Sequence, residues 1–290
     1  MLMPQPGVFL ELAAGRDLAA ALRNALKSAG QQVGVVIGAL ELHTNDTNNG
    51  FLVRAQFATP TPALAAEMAR YVVAGLQARE RGDGEWDGDD LLWQLQRRRR
   101  SEAVPIPTVQ LLAEARRRNL PAFVRADGLI QLGQGARGQA FERECLAEQV
   151  PWARLGEIPI HVLSGVLDEQ VGQQRLNQLR EQGLEAKLAY ADFAQARALL
   201  CEPSLQAAVI ALDPASLLAR GLPFDRCASC DLGDLPTSLP DARSADEIAR
   251  AVALPLLITA PEGSATVHGA PSALARYLNL AACRVEMAAK

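Results

Sequence analysis

The sequence predicts an α/β protein in which a small α+β N-terminal domain precedes an α/β domain with a parallel sheet. Three observations favour this class. In the second half, short apolar runs alternate with helical segments, a pattern typical of βαβ units. The first half contains two strand-like runs with hairpin spacing, flanked by helices. The chain has 290 residues, 49% of them apolar, which is enough to build cores without disulfides or a structural metal.

The N-terminal domain is predicted to cover residues 1–150. Leu18, Leu22 and Leu26 recur at helical spacing, and Gly30 stands where such a helix would end. Runs rich in β-branched and apolar residues follow and favour strands. The further predicted elements are strands at 33–42 and 51–57, helices at 63–79 and 106–118, and two short strands within 123–132.

The second domain is predicted to cover residues 151–290. Its first strand is the compact apolar run Ile158–Leu163, and a helix follows at 170–182. The alternation continues with further apolar runs, which indicates a parallel sheet. The further predicted strands are 186–190, 209–212 and 254–259.

The charge balance and the apolar runs limit the classes of partner. Lys and Arg total 29 and Asp and Glu total 33, so the formal net charge is −4. This balance argues against a general nucleic-acid binder. No run approaches the roughly 18 apolar residues of a membrane span, and the N-terminus lacks the pattern of a signal peptide. The five cysteines are too scattered for a disulfide framework. We therefore predict a cytoplasmic protein without nucleic-acid or membrane partners.

Two sets of segments resemble known families. Ile106-Pro107-Thr108 and Leu129–Gly135 (LIQLGQG) resemble the end of the N-terminal domain of cyanophycin synthetase. Ile158-Pro159-Ile160, Ala207-Ala208-Val209 and Phe224–Cys227 (FDRC) are similar to the nucleotide-binding domain of Mur ligases, which is also the last large module of cyanophycin synthetase. Only about 20 residues separate the two sets. The ATP-grasp domain that cyanophycin synthetase carries between these modules is therefore expected to be absent.

The resemblance implies a nucleotide site that has lost its chemistry. Active Mur ligases bind ATP through a loop after the first strand, whose glycines, Lys and Thr hold phosphates and Mg²⁺. Here Asp168 stands where a glycine is expected and Glu169 where the Lys is expected, while Ala211 matches the metal-binding Glu. A charge inversion of this kind turns an attraction of roughly 4 kcal/mol into repulsion. We therefore predict that no ATP, Mg²⁺ or other cofactor is bound. The predicted degenerate nucleotide site consists of Ser164, Gly165, Asp168, Glu169 and Ala211.

No metal site and no catalytic residue is predicted. Cys227 and Cys230 form the chain's single Cys-x-x-Cys pair, and zinc normally needs four ligands. The three histidines, His43, His161 and His268, are far apart in the sequence, and His161 is expected to pack inside the first strand of the second domain. A Ser-His-Asp arrangement cannot be argued from this spacing.

Clustered arginines leave two interpretations open. The run Arg97–Arg100 is either a solvated helix face or an anion-binding patch, since the Arg guanidinium suits carboxylates. The resemblance to cyanophycin synthetase makes an acidic, peptide-like tail the candidate ligand, and the lack of interleaved aromatic residues argues against nucleic acid. Arg137 follows a weak phosphate-loop signal at Gly133–Gly135. The candidate anion-binding residues are Arg97, Arg98, Arg99, Arg100, Arg116, Arg117 and Arg137.

Three functional hypotheses follow from the sequence. The first is a non-catalytic relative of these ligases that acts as an accessory or scaffold subunit for a ligase adding glutamate-like residues to a cofactor or polymer. Its partner would be an active ligase paralogue, with a homo-oligomer as the alternative assembly. The second is an active ATP-dependent amino-acid ligase with a divergent site. The third is a binding protein for an acidic, peptide-like ligand.

Overall fold

The computed structural model describes residues 7–48, 50–83, 86–101, 105–240, 242, 244–269 and 271–288. The chain divides into two compact units, Met1–Ala103 and Val104–Lys290. The first unit is α+β with an antiparallel sheet, and the second contains a parallel α/β sheet. The predicted fold class is therefore confirmed. None of the described helices is long and apolar enough to cross a membrane.

The first unit is a three-stranded antiparallel sheet covered by helices. Its strand order is β1-β3-β2. Val53, Ala55 and Phe57 alternate along β3, so they share one face of the sheet and bury against the helices. Burying a side chain such as that of Phe57 contributes about 1.5–3 kcal/mol. The elements are β1 (Gly7–Ala14), α1 (Ala19–Val33), β2 (Gly38–Thr47), β3 (Gly50–Ala58), α2 (Pro62–Glu80) and α3 (Asp89–Ser101).

The predicted end of the first helix at Gly30 is wrong. The helix α1 continues to Val33 and ends at Gly34, whose backbone is left-handed with φ 80°. Gly30 is buried inside the helix, on the face that also carries Leu26 and Val33. The apolar face thus extends one turn further than the leucine spacing indicated, and β2 begins at Gly38 rather than at Val33.

The second unit begins with a helix and a small antiparallel sheet. This sheet has the order β4-β5-β6. The loop after β5 is hydrogen-bonded to later parts of the unit: the Gly135 N–H donates to the Leu200 carbonyl at 2.8 Å, and the Ala136 N–H donates to the Leu205 carbonyl at 2.7 Å. The compact units therefore divide near residue 103, whereas the predicted boundary lies at 150. The elements are α4 (Ile106–Arg117), β4 (Ala122–Val124), β5 (Ile130–Leu132) and β6 (Gln139–Phe141).

The rest of the second unit is a six-stranded parallel sheet in the order β12-β11-β10-β7-β9-β8. The chain leaves the central strand β7 toward one edge and later returns to its other side, which makes the carboxyl end of β7 a switch point. The elements are β7 (Ile160–Ser164), α5 (Glu169–Glu181), β8 (Ala186–Ala191), α6 (Phe193–Leu199), β9 (Ala207–Leu212), α7 (Pro214–Arg220), β10 (Cys227–Leu232), α8 (Ala245–Ala253), β11 (Thr259–Val267), α9 (Pro271–Leu278) and β12 (Arg284–Met287).

The strand predicted at 254–259 is also wrong. Leu254–Leu257 forms a short 3-10 helix with Pro255 in its first turn, where the missing N–H costs nothing. The strand β11 starts at Thr259, where the predicted strand would end. An apolar run of this length does not by itself distinguish a strand from a helical turn.

Candidate functional site

A cavity of about 400 Å³ lies at the carboxyl ends of β7, β8 and β9. Ligands of parallel α/β proteins bind at the carboxyl ends of the strands, and we refer to this side of the sheet as its carboxyl edge. Three of the predicted nucleotide-site residues, Gly165, Asp168 and Ala211, line the cavity. Of the other two, Ser164 ends β7 and Glu169 begins α5. The structure thus gathers the predicted residues at one edge of the sheet.

The loop after β7 is closed onto a neighbouring segment. The Val166 N–H donates to the Asp234 carbonyl at 2.8 Å, and the Asp234 N–H donates to the Val166 carbonyl at 3.0 Å. Gly165 turns the chain with φ 83°, and a Cβ there would lie 2.8 Å from the Asp234 carbonyl oxygen. The Ser164 hydroxyl is buried and has no hydrogen-bond partner within the described part of the chain. The Val166 N–H is therefore already hydrogen-bonded within the protein and is not available to a phosphate.

Three helices begin at this edge, and an aspartate caps each of them. Asp168 Oδ1 accepts from the Gln170 N–H at 2.8 Å at the start of α5. Asp192 Oδ1 caps α6 at 2.8 Å, and Asp213 caps α7 through two bonds of 3.1 Å. The N–H groups of a helix N-terminus and the positive end of its dipole favour an anion. Here the protein's own carboxylates accept from one such N–H group in α5, one in α6 and two in α7.

We call these three residues, Asp168, Asp192 and Asp213, the carboxylate edge. All three line the cavity, and within the described part of the chain none of the lining residues is Lys or Arg. Glu169 adds a fourth acidic side chain in the first turn of α5. A nucleotide phosphate placed here would meet carboxylates, and no Lys or Arg of the described lining would compensate their charge.

A second group of polar side chains lies on the face of the sheet that also contacts α5. The parallel register sets Ser229 beside His161 and Asp231 beside Thr266. Ser229 and Asp231 are two residues apart on β10, so their side chains share one face. Arg175 of α5 completes the group. We call His161, Arg175, Ser229, Asp231 and His268 the Asp231 cluster.

The Asp231 carboxylate is fully buried and accepts from three side chains. Nε2 of His161 lies 2.7 Å from Oδ2, and Nε2 of His268 lies 2.6 Å from Oδ1. Arg175 donates from Nε at 3.0 Å to Oδ2 and from Nη2 at 3.2 Å to Oδ1. Burial by itself would raise the pKa of Asp231, but hydrogen bonds from His161, Arg175 and His268 outweigh it and hold the pKa well below its usual range. Asp231 is therefore a buried anion at neutral pH.

The contacts of the two histidines determine where their protons lie. Because Nε2 of each ring faces a carboxylate oxygen, we assign the proton of the neutral ring to Nε2. Nδ1 of His161 then accepts a hydrogen bond from the Ser229 hydroxyl. Nδ1 of His268 makes no hydrogen bond to any described residue. The side chain of His268 is 27% exposed. Among the described residues, the cluster thus has one ring nitrogen without a hydrogen-bond partner, on a side chain that is partly exposed.

The chain matches a known family model along most of its length. A family model described as "Domain of unknown function (DUF4938)" matches residues 1–283. The chain belongs to the DUF4938 family. The match includes nearly all residues of both units. No curated protein matches the chain.

The four arginines of α3 in this DUF4938 chain are mostly engaged locally. Arg98 forms an ion pair with Glu67, and Arg99 donates its Nε–H to the Gly34 carbonyl at 3.1 Å. The guanidinium of Arg97 lies 5.5 Å from the centre of an aromatic ring on the same helix. Arg100 is exposed. These contacts favour a helix face over an anion site, and the patch stays a prediction.

The remaining candidate arginines lie in the second unit. Arg117 donates two hydrogen bonds to the Glu114 carboxylate, at 2.9 and 2.7 Å, on the exposed side of α4. Arg116 is exposed. Arg137 packs its guanidinium over Gly156, where an added Cβ would lie 2.5 Å away. An exposed pair such as Arg117–Glu114 contributes little to stability.

The paired cysteines of the DUF4938 chain are part of the core. Cys227 and Cys230 are both buried, and both thiols contact the Thr259 hydroxyl at 3.3 Å. Burial raises the pKa of Cys227 to about 12, so its thiol is protonated and unreactive at neutral pH. Among the described residues, no group of His, Cys, Asp and Glu is arranged to hold a metal ion.

Sequence reasoning missed the Asp231 cluster. His161 was expected to be a packed residue of the first strand, and it does lie in β7 with its side chain 12% exposed, but its partners are polar. The strand β10 was not predicted, because Ser229 and Asp231 interrupt its apolar pattern. The available sequence signal was the alternation of Ser229 and Asp231 with apolar residues, which is typical of a strand with one polar face.

Proposed function

We propose that this protein is a non-catalytic relative of ATP-dependent amide ligases and acts as an accessory or scaffold subunit. The ligase that it assists would add glutamate-like residues to a cofactor or a polymer. The partner would be an active ligase paralogue, and the location would be the cytoplasm. The ligase class rests on the resemblance of residues 106–135 and 158–227 to cyanophycin synthetase and Mur ligases.

The carboxylate edge is the observation that carries the proposal. Asp168, Asp192 and Asp213 occupy the three helix N-termini at the position where a nucleotide would bind. Two unit charges about 5 Å apart interact by about 3 kcal/mol at an effective dielectric constant of ~20. A triphosphate would meet several such repulsions at once. The fold of a nucleotide-dependent enzyme would thus remain, while nucleotide binding would be lost.

Isolation of the protein from its native host tests the accessory role. The full chain carries a tag at its own locus, and the co-purified proteins are identified and then reconstituted. We expect a stable complex with a protein that retains the phosphate-loop Lys and the metal-binding Glu. Glutamate-dependent ATP hydrolysis by that partner should be faster with the chain than without it.

Two outcomes would contradict the accessory role. The first is recovery of the chain only as a monomer or as an assembly of its own copies. The second is a partner whose rate of ATP hydrolysis is the same with and without the chain. Glutamate-dependent amide formation by the purified chain alone would instead favour an active ligase.

A further inference from the structure

We propose that the Asp231 cluster is an acid–base site in which His268 is a general base for hydrolysis of small polar acyl compounds. The proposal goes beyond the accessory role, in which the chain lacks ligase catalysis, because the cluster lies on a face of the sheet and not at the carboxylate edge. It concerns a chemistry that needs neither nucleotide nor metal.

The cluster has the geometry of an oriented base. Asp231 accepts the Nε2–H of His268 at 2.6 Å and thereby leaves the lone pair on Nδ1. The backbone of His268 is fixed as well, because its N–H donates to the Leu232 carbonyl at 2.8 Å. A carboxylate in this position fixes the ring tautomer and stabilises the imidazolium that forms when Nδ1 takes a proton.

Arg175 is a positioning residue. It donates to both carboxylate oxygens of Asp231, and its Nη2 also contacts the Thr266 hydroxyl at 3.4 Å. A carboxylate that accepts from a guanidinium stays ionised, so the proton taken from the substrate or water remains on the imidazole. Buried carboxylates with specific charged partners concentrate at functional sites.

The surroundings favour a small polar substrate. Ser229 and Thr266 are half-buried on the same sheet face. The Ser229 hydroxyl already donates to His161, whereas the Thr266 hydroxyl accepts from Arg175 and can still donate to a ligand. The charges of Arg175 and Asp231 cancel within the cluster. The site therefore suits a neutral ester better than a strongly charged compound.

The reaction balances with water as the only co-reactant. A water molecule gives a proton to Nδ1 of His268 as its oxygen bonds to the carbonyl carbon of the ester. The tetrahedral intermediate then collapses, and the bond to the leaving oxygen breaks. The leaving oxygen takes the proton back from the imidazolium when it is basic enough, or departs as an anion while the proton returns to solvent. The products are a carboxylic acid and an alcohol.

Hydrolysis of p-nitrophenyl acetate by the full chain tests this proposal. His268→Gln is compared with His43→Gln, which removes an exposed histidine of β2 in the other unit. Because general-base catalysis contributes about 10²–10⁴-fold, we expect His268→Gln to lower the rate at least tenfold and His43→Gln to leave it unchanged. Equal rates for the wild-type chain and His268→Gln would overturn the proposal, as would a wild-type rate no higher than that of free imidazole at the same concentration.

A second measurement uses the wild-type chain and therefore does not depend on whether a variant of the cluster folds. With three histidines in the chain, ¹⁵N-detected imidazole spectra yield few signals to assign. We expect the neutral ring of His268 to carry its proton on Nε2, with an unprotonated Nδ1. A ring protonated on Nδ1 in its neutral form would rule out the oriented base.

Discussion

Replacement of Asp231 by alanine is expected to lower the free energy of unfolding by about 3 kcal/mol at pH 7. The carboxylate is fully buried and accepts from His161, Arg175 and His268. Its removal leaves these donors without an acceptor. Because the Arg175 side chain is only 29% exposed, water can replace the lost acceptor for only part of these donors. Urea unfolding followed by circular dichroism measures the loss. An exposed acidic residue on β11 provides the control, since Glu262→Ala should change stability by no more than about 0.5 kcal/mol. Equal losses of unfolding free energy in the two variants would show that Asp231 stabilises the fold no more than an exposed acidic residue does.

The contribution of Asp231 to the free energy of unfolding should decrease when the pH is lowered. Its pKa is lowered in the folded protein, and the pKa of an aspartate in an unfolded chain is about 4. The contribution is therefore complete above pH ~4 and is lost as the pH falls toward the folded pKa. The stability difference between the wild-type chain and Asp231→Ala should narrow by up to about 1.4 kcal/mol per pH unit below pH ~4. A difference that stays constant down to pH ~2.5 would contradict the assigned charge state.

Replacement of Gly135 by alanine is expected to destabilise the second unit by about 3 kcal/mol or more. Gly135 has φ 54°, and a Cβ there would lie 2.1 Å from the Leu205 carbonyl oxygen. The side chain cannot be accommodated unless the loop moves away and breaks the hydrogen bond from Gly135 to Leu200. That loop joins the small antiparallel sheet to the parallel one within the unit.

Gly183 provides the matched control for this substitution. Its φ is 80°, but nothing lies within 4 Å of an added Cβ. Gly183→Ala therefore has only the intrinsic cost of a left-handed alanine, about 1–2 kcal/mol. Urea unfolding of both variants separates backbone strain from the clash. A loss in Gly135→Ala no larger than that in Gly183→Ala would mean that the loop is not held as the structure shows.

The strands of the parallel sheet that sequence reasoning identified share one property. β7, β8 and β9 are short and largely apolar, as strands of a parallel sheet covered by helices typically are. The strands β10 and β12 were missed because they carry polar residues, such as Asp231 and Glu286, on one face. A polar strand inside a parallel sheet lacks the apolar run on which the prediction depends.

The two sites differ in how far the sequence could predict them. The residues of the predicted nucleotide site could be named from the sequence because Gly165, Asp168 and Glu169 closely follow one strand, and a family pattern existed for comparison. The Asp231 cluster combines residues 161, 175, 229, 231 and 268, which meet only through the strand order β11-β10-β7 and its register. Neither the order nor the register can be derived from local pattern. The loop around Gly135 likewise depends on tertiary contacts with Leu200 and Leu205.

Calorimetric titration of the purified full chain with Mg-ATP at low salt tests the central claim most directly. The carboxylate edge predicts no binding heat up to millimolar nucleotide, because Asp168, Asp192 and Asp213 occupy the helix N-termini that phosphates would need. A dissociation constant in the micromolar range would contradict the account, and the chain should then be assayed as a ligase.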